Sequence, residues 1–132
     1  MYTKGKADIF LKPKHSGLPS FWEYYSLIEK ALNVSADEFV KNDGLKKDAI
    51  EGIRGLAGLI AELAVRLLKM NVSYDELPMR LASERIIKGS TADELADLMD
   101  MAKRVEKIEA EVLYSNLVRF MEVFEEVYFA IQ

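Results

Sequence analysis

Residues 46–70, KKDAIEGIRGLAGLIAELAVRLLKM, decide the fold of this chain. With 100° per residue, the charged side chains of this stretch fall within about a third of a helix circumference, and the other positions are Ile, Leu, Val, Ala and Gly. A helix that is apolar over so much of its surface has to be covered on several sides. The stretch therefore predicts the central helix of the fold.

Small residues recur at every third position of this stretch: Ala49, Gly52, Gly55, Gly58, Ala61 and Ala64. Each glycine inside a helix costs about 1 kcal/mol relative to alanine, so three of them need a reason. Gly55 and Gly58 project onto the charged strip, which predicts close approach of another backbone, either a partner helix or a nucleic-acid phosphate near Arg54. The alternative is a tightly crossing helix of the same chain, for which the last helix is the candidate.

Four capping boxes mark helix starts around the central stretch. Each is a serine or threonine followed three residues later by glutamate: Ser20/Glu23, Ser35/Glu38, Ser73/Glu76 and Thr91/Glu94. In this motif the two side chains accept hydrogen bonds from N–H groups that the first helical turn leaves unpaired. The predicted helix stops are Asn33, the Asp43-Gly44 pair, Asn71 and Gly89. These signals agree with the apolar periodicity and predict an all-α fold.

The predicted architecture is a five-helix bundle around the central Gly/Ala-rich helix. The predicted helices are Phe21–Leu32, Ala36–Asn42, Lys46–Met70, Tyr74–Lys88 and a long C-terminal helix from Ala92 to about Ile131. Pro78 has no backbone N–H, so it should kink the fourth helix or delay its start to about Leu77. We predict a single helical domain over residues 19–132, preceded by an extended arm over residues 1–18.

The last predicted helix has an interruption in its apolar seam. Between Val105 and Leu113, Glu109 occupies a seam position. Either the helix breaks there into two, or it continues and Glu109 faces a polar group. A continuous helix would reach on the order of 60 Å, which exceeds the diameter of so small a domain. The long helix therefore predicts an interface, with other protein subunits or with a second copy of the chain.

Composition excludes several classes of function. The chain has no cysteine and one histidine, which excludes disulfides and cysteine-ligated metal and argues against most zinc sites. No nucleophile–base pair, phosphate-binding loop or set of metal ligands is recognisable, so we predict a protein without catalytic residues, cofactor or metal. The scarcity of Cys and Gln beside abundant Lys and Glu is typical of a thermophile. Neither a membrane span nor a signal peptide is recognisable, and we expect a cytoplasmic protein.

The start of the chain is basic, whereas the rest is acidic. Four lysines and one aspartate give residues 1–16 a net charge of +3, so the total of −4 leaves −7 for the remainder. The lysines are interleaved with rings that can stack on bases, which suits single-stranded RNA or DNA. The alternative is a solvated terminus, or an arm that neutralises the acidic body. The predicted nucleic-acid-binding residues are Lys4, Lys6, Lys12, Lys14, Arg54, Arg66 and Arg119.

Three large rings have no place on the apolar stripes of their helices: Trp22, Tyr114 and Phe129. Large apolar groups outside an intrachain core are typical of partner contacts. With the two glycines of the charged strip, the predicted partner interface is Trp22, Gly55, Gly58, Tyr114 and Phe129.

The segments GIRGLAGLIAELAVRLL (52–68) and LYSNLVRFMEVF (113–124) lie in a small, cysteine-free helical chain with a long last helix. In this architecture, over roughly residues 21–131, the chain resembles the small α-helical subunits of archaeal CRISPR interference complexes. The resemblance implies a non-catalytic subunit of a ribonucleoprotein assembly that contacts the backbone of RNA or DNA. It would draw those contacts from Arg54, Arg66, Arg80, Arg85, Lys103, Arg104 and Arg119. The acidic body departs from the basic face expected of a subunit that lines a duplex.

A second hypothesis is a dimeric helical DNA-binding transcriptional regulator. The turn at Asn42-Asp43-Gly44 joins a short helix to one that begins with two lysines, which loosely resembles a helix-turn-helix. In this hypothesis the last helix forms the dimer interface. The length and broad apolar faces of the second helix do not suit a DNA groove.

Overall fold

A computed structural model describes residues 20–132, in which helices and their connections are present and no strand is formed. The α-helices are α1 (Phe21–Leu32), α2 (Ala36–Lys41), α3 (Asp43–Leu68), α4 (Leu77–Ser83), α5 (Gly89–Lys103) and α6 (Ala110–Ile131). One 3₁₀ turn, Val105–Lys107, connects α5 to α6. The prediction of an all-α fold is confirmed, and the predicted arm lies outside the described residues.

Helix α3 lies at the centre, as its apolar circumference predicts. It contacts every other helix and the 3₁₀ turn. Its fully or nearly fully buried residues are Ala49, Gly52, Ile53, Leu56, Ala57, Ile60 and Ala64. Because no single neighbour can cover so broad an apolar surface, the other helices pack around α3.

Two of the predicted helix starts have the expected caps. At α1 the Ser20 hydroxyl accepts a hydrogen bond from the Glu23 N–H (3.4 Å), and the Glu23 carboxylate accepts one from the Ser20 N–H (2.7 Å). At α2 the Ser35 hydroxyl accepts a bond from the Glu38 N–H (3.2 Å). The Ser73 hydroxyl also accepts a hydrogen bond from the Glu76 N–H (3.3 Å), but in the turn before α4. Helix α4 itself begins only at Leu77, because Pro78 has no backbone N–H and fits only in the first turn of a helix.

The prediction of a helix start at Thr91 is wrong. Helix α5 begins at Gly89, which had been predicted as a stop, and Thr91 lies inside its first turn. The Thr91 side chain is buried and its hydroxyl donates to Glu126 Oε2 of α6 (2.7 Å). The spacing of a threonine three residues before a glutamate does not distinguish a hydroxyl that caps its own helix from one that hydrogen-bonds to a side chain of another helix.

The remaining stops are shifted by a few residues. Helix α2 ends at Lys41, and its C-cap residue Asn42 also caps α3, because its side chain accepts from the Leu45 N–H (3.1 Å); the Asp43-Gly44 pair therefore lies inside α3. Helix α3 ends at Leu68, before Asn71, and its C-cap residue Lys69 is left-handed (φ 58°). Helix α4 ends in a Schellman motif, with Arg85 left-handed (φ 61°) and the Ile86 N–H bonded to the Leu81 carbonyl (2.9 Å).

Of the two alternatives for the interrupted seam, the structure shows the break, so residues 20–132 form six α-helices rather than the predicted five. Glu109 precedes α6 in extended conformation (ψ 145°) and is exposed. Helix α6 then runs antiparallel to α5, because Thr91 bonds Glu126 while the later Glu94 pairs with the earlier Arg119. A long C-terminal helix of 22 residues is confirmed. It packs back on its own bundle, so its length is no longer an argument for a partner.

Candidate functional site

Aromatic side chains from the start of α1 and the end of α6 meet at one end of the bundle. We call the group Phe21, Trp22, Tyr25, Tyr128 and Phe129 the aromatic patch. Phe21 is buried and stacks on Tyr128, with ring centroids 4.0 Å apart and planes 15° apart. This stack joins the two helices and sets the position of the rings around it.

Trp22 and Phe129 form the outer part of the aromatic patch. Their ring centroids lie 6.1 Å apart, and the two residues are 46% and 54% exposed. The Trp22 ring also lies edge-on to the rings of Phe21 (4.9 Å between centroids) and Tyr25 (5.2 Å). These two contacts hold the ring on its protein side, and its other side faces solvent. The two residues, predicted separately as partner contacts, are brought together by the fold.

Carboxylates border the aromatic patch. The Tyr25 hydroxyl donates to Glu125 Oε1 (3.1 Å), and Glu29 and Glu122 lie close enough for their charges to act on it. The pKa of Tyr25 is raised, first by burial, then by the hydrogen bond to Glu125 and the charges of these glutamates. We call Glu29, Glu122 and Glu125 the acidic edge.

The predicted interface glycines have different surroundings. A Cβ built on Gly55 would clash with the ring carbons of Tyr24, on α1. The close neighbour of Gly55 is therefore a side chain of the same chain, from α1, and neither a backbone nor the last helix. Gly58 has nothing within 4 Å of its Cβ position, so no packing explains it.

Tyr114 is held by the chain itself. Its hydroxyl donates to the Val34 carbonyl oxygen (2.6 Å), and its ring lies 5.3 Å from that of Phe39. These contacts fasten α6 to the connection between α1 and α2. A role for Tyr114 inside the fold is sufficient to explain a ring that lies off the apolar seam.

The three arginines predicted to bind nucleic acid are all ion-paired within the chain. Arg54 pairs with Glu106 (2.9 Å) and Arg66 with Glu62 (2.6 Å). Arg119 contacts both Glu94 and Asp97 (3.0 Å each), and these bonds raise the pKa of its guanidinium. The predicted Lys4, Lys6, Lys12 and Lys14 lie outside the described residues. The charges of the three arginines are therefore offset by neighbouring carboxylates.

A surface groove of about 600 Å³ runs beside Arg54. It is lined by Tyr24, Lys47, Ile50, Glu51, Arg54, Gly55 and Glu106. Its lining carries two positive and two negative side chains, so it does not select an anion or a cation. Across residues 20–132, no group of three or more His, Asp or Glu side chains is placed to hold a metal ion, and no helix is long and apolar enough to cross a membrane.

Comparisons with family models, with curated proteins and with solved structures each found none that is similar. The candidate site is therefore argued from its own geometry.

Sequence reasoning missed the residues that support the aromatic patch. Tyr25 and Glu125 are not among the predicted site residues, although their hydrogen bond joins α1 to α6. Only Trp22 and Phe129 could be singled out from the sequence, because each is a large ring outside the apolar stripe of its helix. A bond between residues that are distant in the chain has no such signal.

Proposed function

We propose that this chain is a non-catalytic helical subunit that binds another protein of a larger assembly through the aromatic patch. The observation that supports the proposal is the pair Trp22 and Phe129, two half-exposed rings side by side on rigid helices. Aromatic side chains are the residues that most often dominate the binding energy of protein interfaces. Since the rings beneath them hold them in place, little conformational freedom would be lost on binding.

The test is co-purification from the source organism with a tagged full-length chain. The patch variant carries Trp22→Ser and Phe129→Ser, and the control variant carries Met79→Ser and Val112→Ser, which are exposed apolar residues elsewhere (74% and 46% exposed). Circular dichroism first checks that both variants are folded. We expect the wild type and the control to retain the same proteins and the patch variant to lose them. Retention of all of them by the patch variant would overturn the proposal.

We further propose that the assembly handles nucleic acid, as the resemblance to the small subunits of CRISPR interference complexes suggests. The all-α fold supports it, as do the four lysines of residues 1–16. Because Arg54, Arg66 and Arg119 are ion-paired within the chain, we assign backbone contact mainly to Lys4, Lys6, Lys12 and Lys14.

Fluorescence anisotropy of labelled single-stranded RNA and duplex DNA tests this assignment. Four neutralised phosphates would give a slope of about −3 for log K against log salt on a single strand. The full-length variant K4Q/K6Q/K12Q/K14Q should lose this binding, whereas a control with the same change of charge on the body, K41Q/K47Q/K88Q/K107Q, should keep it. Absence of binding by the wild type at low salt would overturn this part of the proposal only.

The geometry favours an assembly subunit over a dimeric DNA-binding regulator. Helices α2 and α3 share the single residue Asn42 as their connection, whereas a helix-turn-helix needs a turn of about three to four residues. Helix α3 is also packed on several sides, and its exposed strip carries Glu51 and Glu62 among its basic residues. A carboxylate there would face the phosphates of a DNA groove.

A further inference from the structure

The aromatic patch and the acidic edge together form one continuous face. On α6, Glu122, Glu125 and Phe129 recur at helical spacing, and on α1 Trp22 and Glu29 do the same. The hydrogen bond from Tyr25 to Glu125 connects the two rows. The face is therefore apolar where Trp22 and Phe129 meet and negative beside them.

The chemistry of this face indicates a basic, apolar occupant. Within residues 20–132, no lysine or arginine pairs with Glu29, Glu122 or Glu125, although seven ion pairs form elsewhere in that part of the chain. A segment that carries an apolar run between positive charges would cover the rings and offset the negative charges at once.

The N-terminal arm has this composition. Its apolar run Ile9–Leu11 lies between two pairs of lysines: Lys4, Lys6, Lys12 and Lys14. The net charge of residues 1–16 is +3, against −7 for the rest of the chain. Charge and apolar content of the arm thus complement those of the face.

The arm also joins the chain next to this face. It leads into Ser20, the cap of α1, two residues before Trp22. The ten residue-to-residue steps from Phe10 to Ser20 can span up to about 33 Å. The distance along α6 from Glu122 to Phe129 is only about 10 Å, so the arm can reach the whole face.

We propose that the arm (residues 1–18) binds the aromatic patch and acidic edge of its own chain. Ile9–Leu11 contacts Trp22 and Phe129, and the arm lysines lie beside Glu29, Glu122 and Glu125. A short tether gives an effective concentration on the order of 1 mM, so an intrinsic Kd of about 0.1 mM suffices to keep the arm bound about nine-tenths of the time.

This contact makes the arm a competitor of the partner, a consequence that rests on the proposed function. A protein that docks on Trp22 and Phe129 displaces the arm and frees its lysines for nucleic acid. Partner binding and nucleic-acid binding would then strengthen each other, by the same factor in both directions.

Trp22 itself reports on the arm, because it is the only tryptophan in the chain. The experiment compares tryptophan emission and acrylamide quenching of the full-length wild type with two full-length arm variants. One is I9S/F10S/L11S, which removes the apolar contact, and the other is K4Q/K6Q/K12Q/K14Q. The body variant K41Q/K47Q/K88Q/K107Q is the matched control for charge. A fourth variant, E122Q/E125Q, tests the other side of the contact against E84Q/E111Q.

We expect red-shifted emission and stronger quenching in both arm variants and in E122Q/E125Q, and the wild-type spectrum in both controls. A synthetic peptide of residues 1–18, added to I9S/F10S/L11S, should restore the wild-type spectrum with a Kd of about 0.1 mM, the value assumed for the tether. Identical spectra for the wild type and the arm variants would overturn the proposal. A difference that disappears on dilution would also overturn it, because the arm would then bind a second copy. No partner is present in this experiment, so its failure is distinct from failure of the proposed function.

Discussion

The two faces of α1 pack in different ways. Toward α3, the ring of Tyr24 lies against Gly55, and the carbonyl oxygen of Tyr24 and the side chain of Ile28 lie against Gly52, so a Cβ at either glycine would collide with α1. Toward α6, Phe21 meets another large ring, and Trp22 is left half exposed. Small residues let two helices interlock, whereas large rings hold them apart and reach the surface. One helix thus has a closed face that stabilises the fold and an open face available for binding.

The largest expected effect compares two neighbouring residues of the open face. Phe21→Ala should lower the free energy of unfolding by about 3 kcal/mol, because a buried ring stacked on Tyr128 is lost. Trp22→Ala should lower it by about 1 kcal/mol or less, since half of that residue is already exposed. Urea denaturation followed by circular dichroism measures both. Equal losses would contradict the distinction between a supporting and an exposed ring.

The glycines of α3 test the closed face. Gly52→Ala places a Cβ 2.7 Å from the Tyr24 carbonyl oxygen, so the backbone of α1 has to move, and we expect a loss of about 2 kcal/mol. Gly58→Ala meets open space and should gain up to about 1 kcal/mol from helix propensity. Thermal and urea unfolding should show opposite signs for the two variants. The same sign for both would mean that interlocking does not hold this face.

Tyr25→Phe removes the hydrogen bond between the two helices of the open face. The expected loss is about 0.5 kcal/mol, because the bond to Glu125 is only partly buried. Urea denaturation of Tyr25→Phe measures this loss. Glu125→Gln is the control, because its amide oxygen can still accept the hydrogen bond from Tyr25. A loss as large as that of Phe21→Ala would show that the bond, rather than the ring stack, joins the helices.

The same hydroxyl predicts a pH dependence. The pKa of Tyr25 is raised from 10.0, so the folded chain holds the phenol proton more tightly than the unfolded chain. This stabilisation is complete below pH 10 and is lost as the pH rises through the folded pKa. Tyr74 and Tyr128, whose pKa values are raised by burial, contribute equally to wild type and variant. Unfolding free energies between about pH 9 and 11 should therefore fall less steeply in Tyr25→Phe.

The smallest expected effect concerns the charges at the rim of the closed face. Arg54→Gln breaks an ion pair whose side chains are 51% and 64% exposed, and stability should change by no more than about 0.5 kcal/mol. A double-mutant cycle with Glu106→Gln at low and high salt measures the pair itself. An interaction free energy between Arg54 and Glu106 well above that limit would mean that charges, and not only glycines, stabilise the packing of this face.

Most helices could be predicted because their signals are local. The apolar seam of α6, which recurs at helical spacing in the sequence, is buried throughout: Leu113, Leu117, Phe120, Phe124, Val127 and Ile131. The Ser20/Glu23 box caps α1. Thr91 shows the limit of such signals, since its hydroxyl bonds Glu126 in place of a nearby N–H. A cap and a tertiary hydrogen bond use the same residue types, and only the position of the other helix decides between them.

The candidate site was only partly predictable. Trp22 and Phe129 could be singled out one by one, because each falls off the apolar stripe of its helix. Their contact could not be predicted, since it depends on how α1 and α6 cross. The ion pairs of Arg54 and Arg119 have partners on other elements, Glu106 and Glu94, and were equally hidden.

The all-α class, the central helix, the apolar seams and the basic character of the arm can all be predicted from the sequence. They follow from residue type and from spacing along a single helix, which act over a few residues. Three features depend on how the helices pack: the break of the last helix at Glu109, the contact of Gly55 with the ring of Tyr24, and the exposed pair of rings. Those outcomes depend on which helices pack together and on their relative positions along their axes, because packing acts between residues that are far apart in the chain.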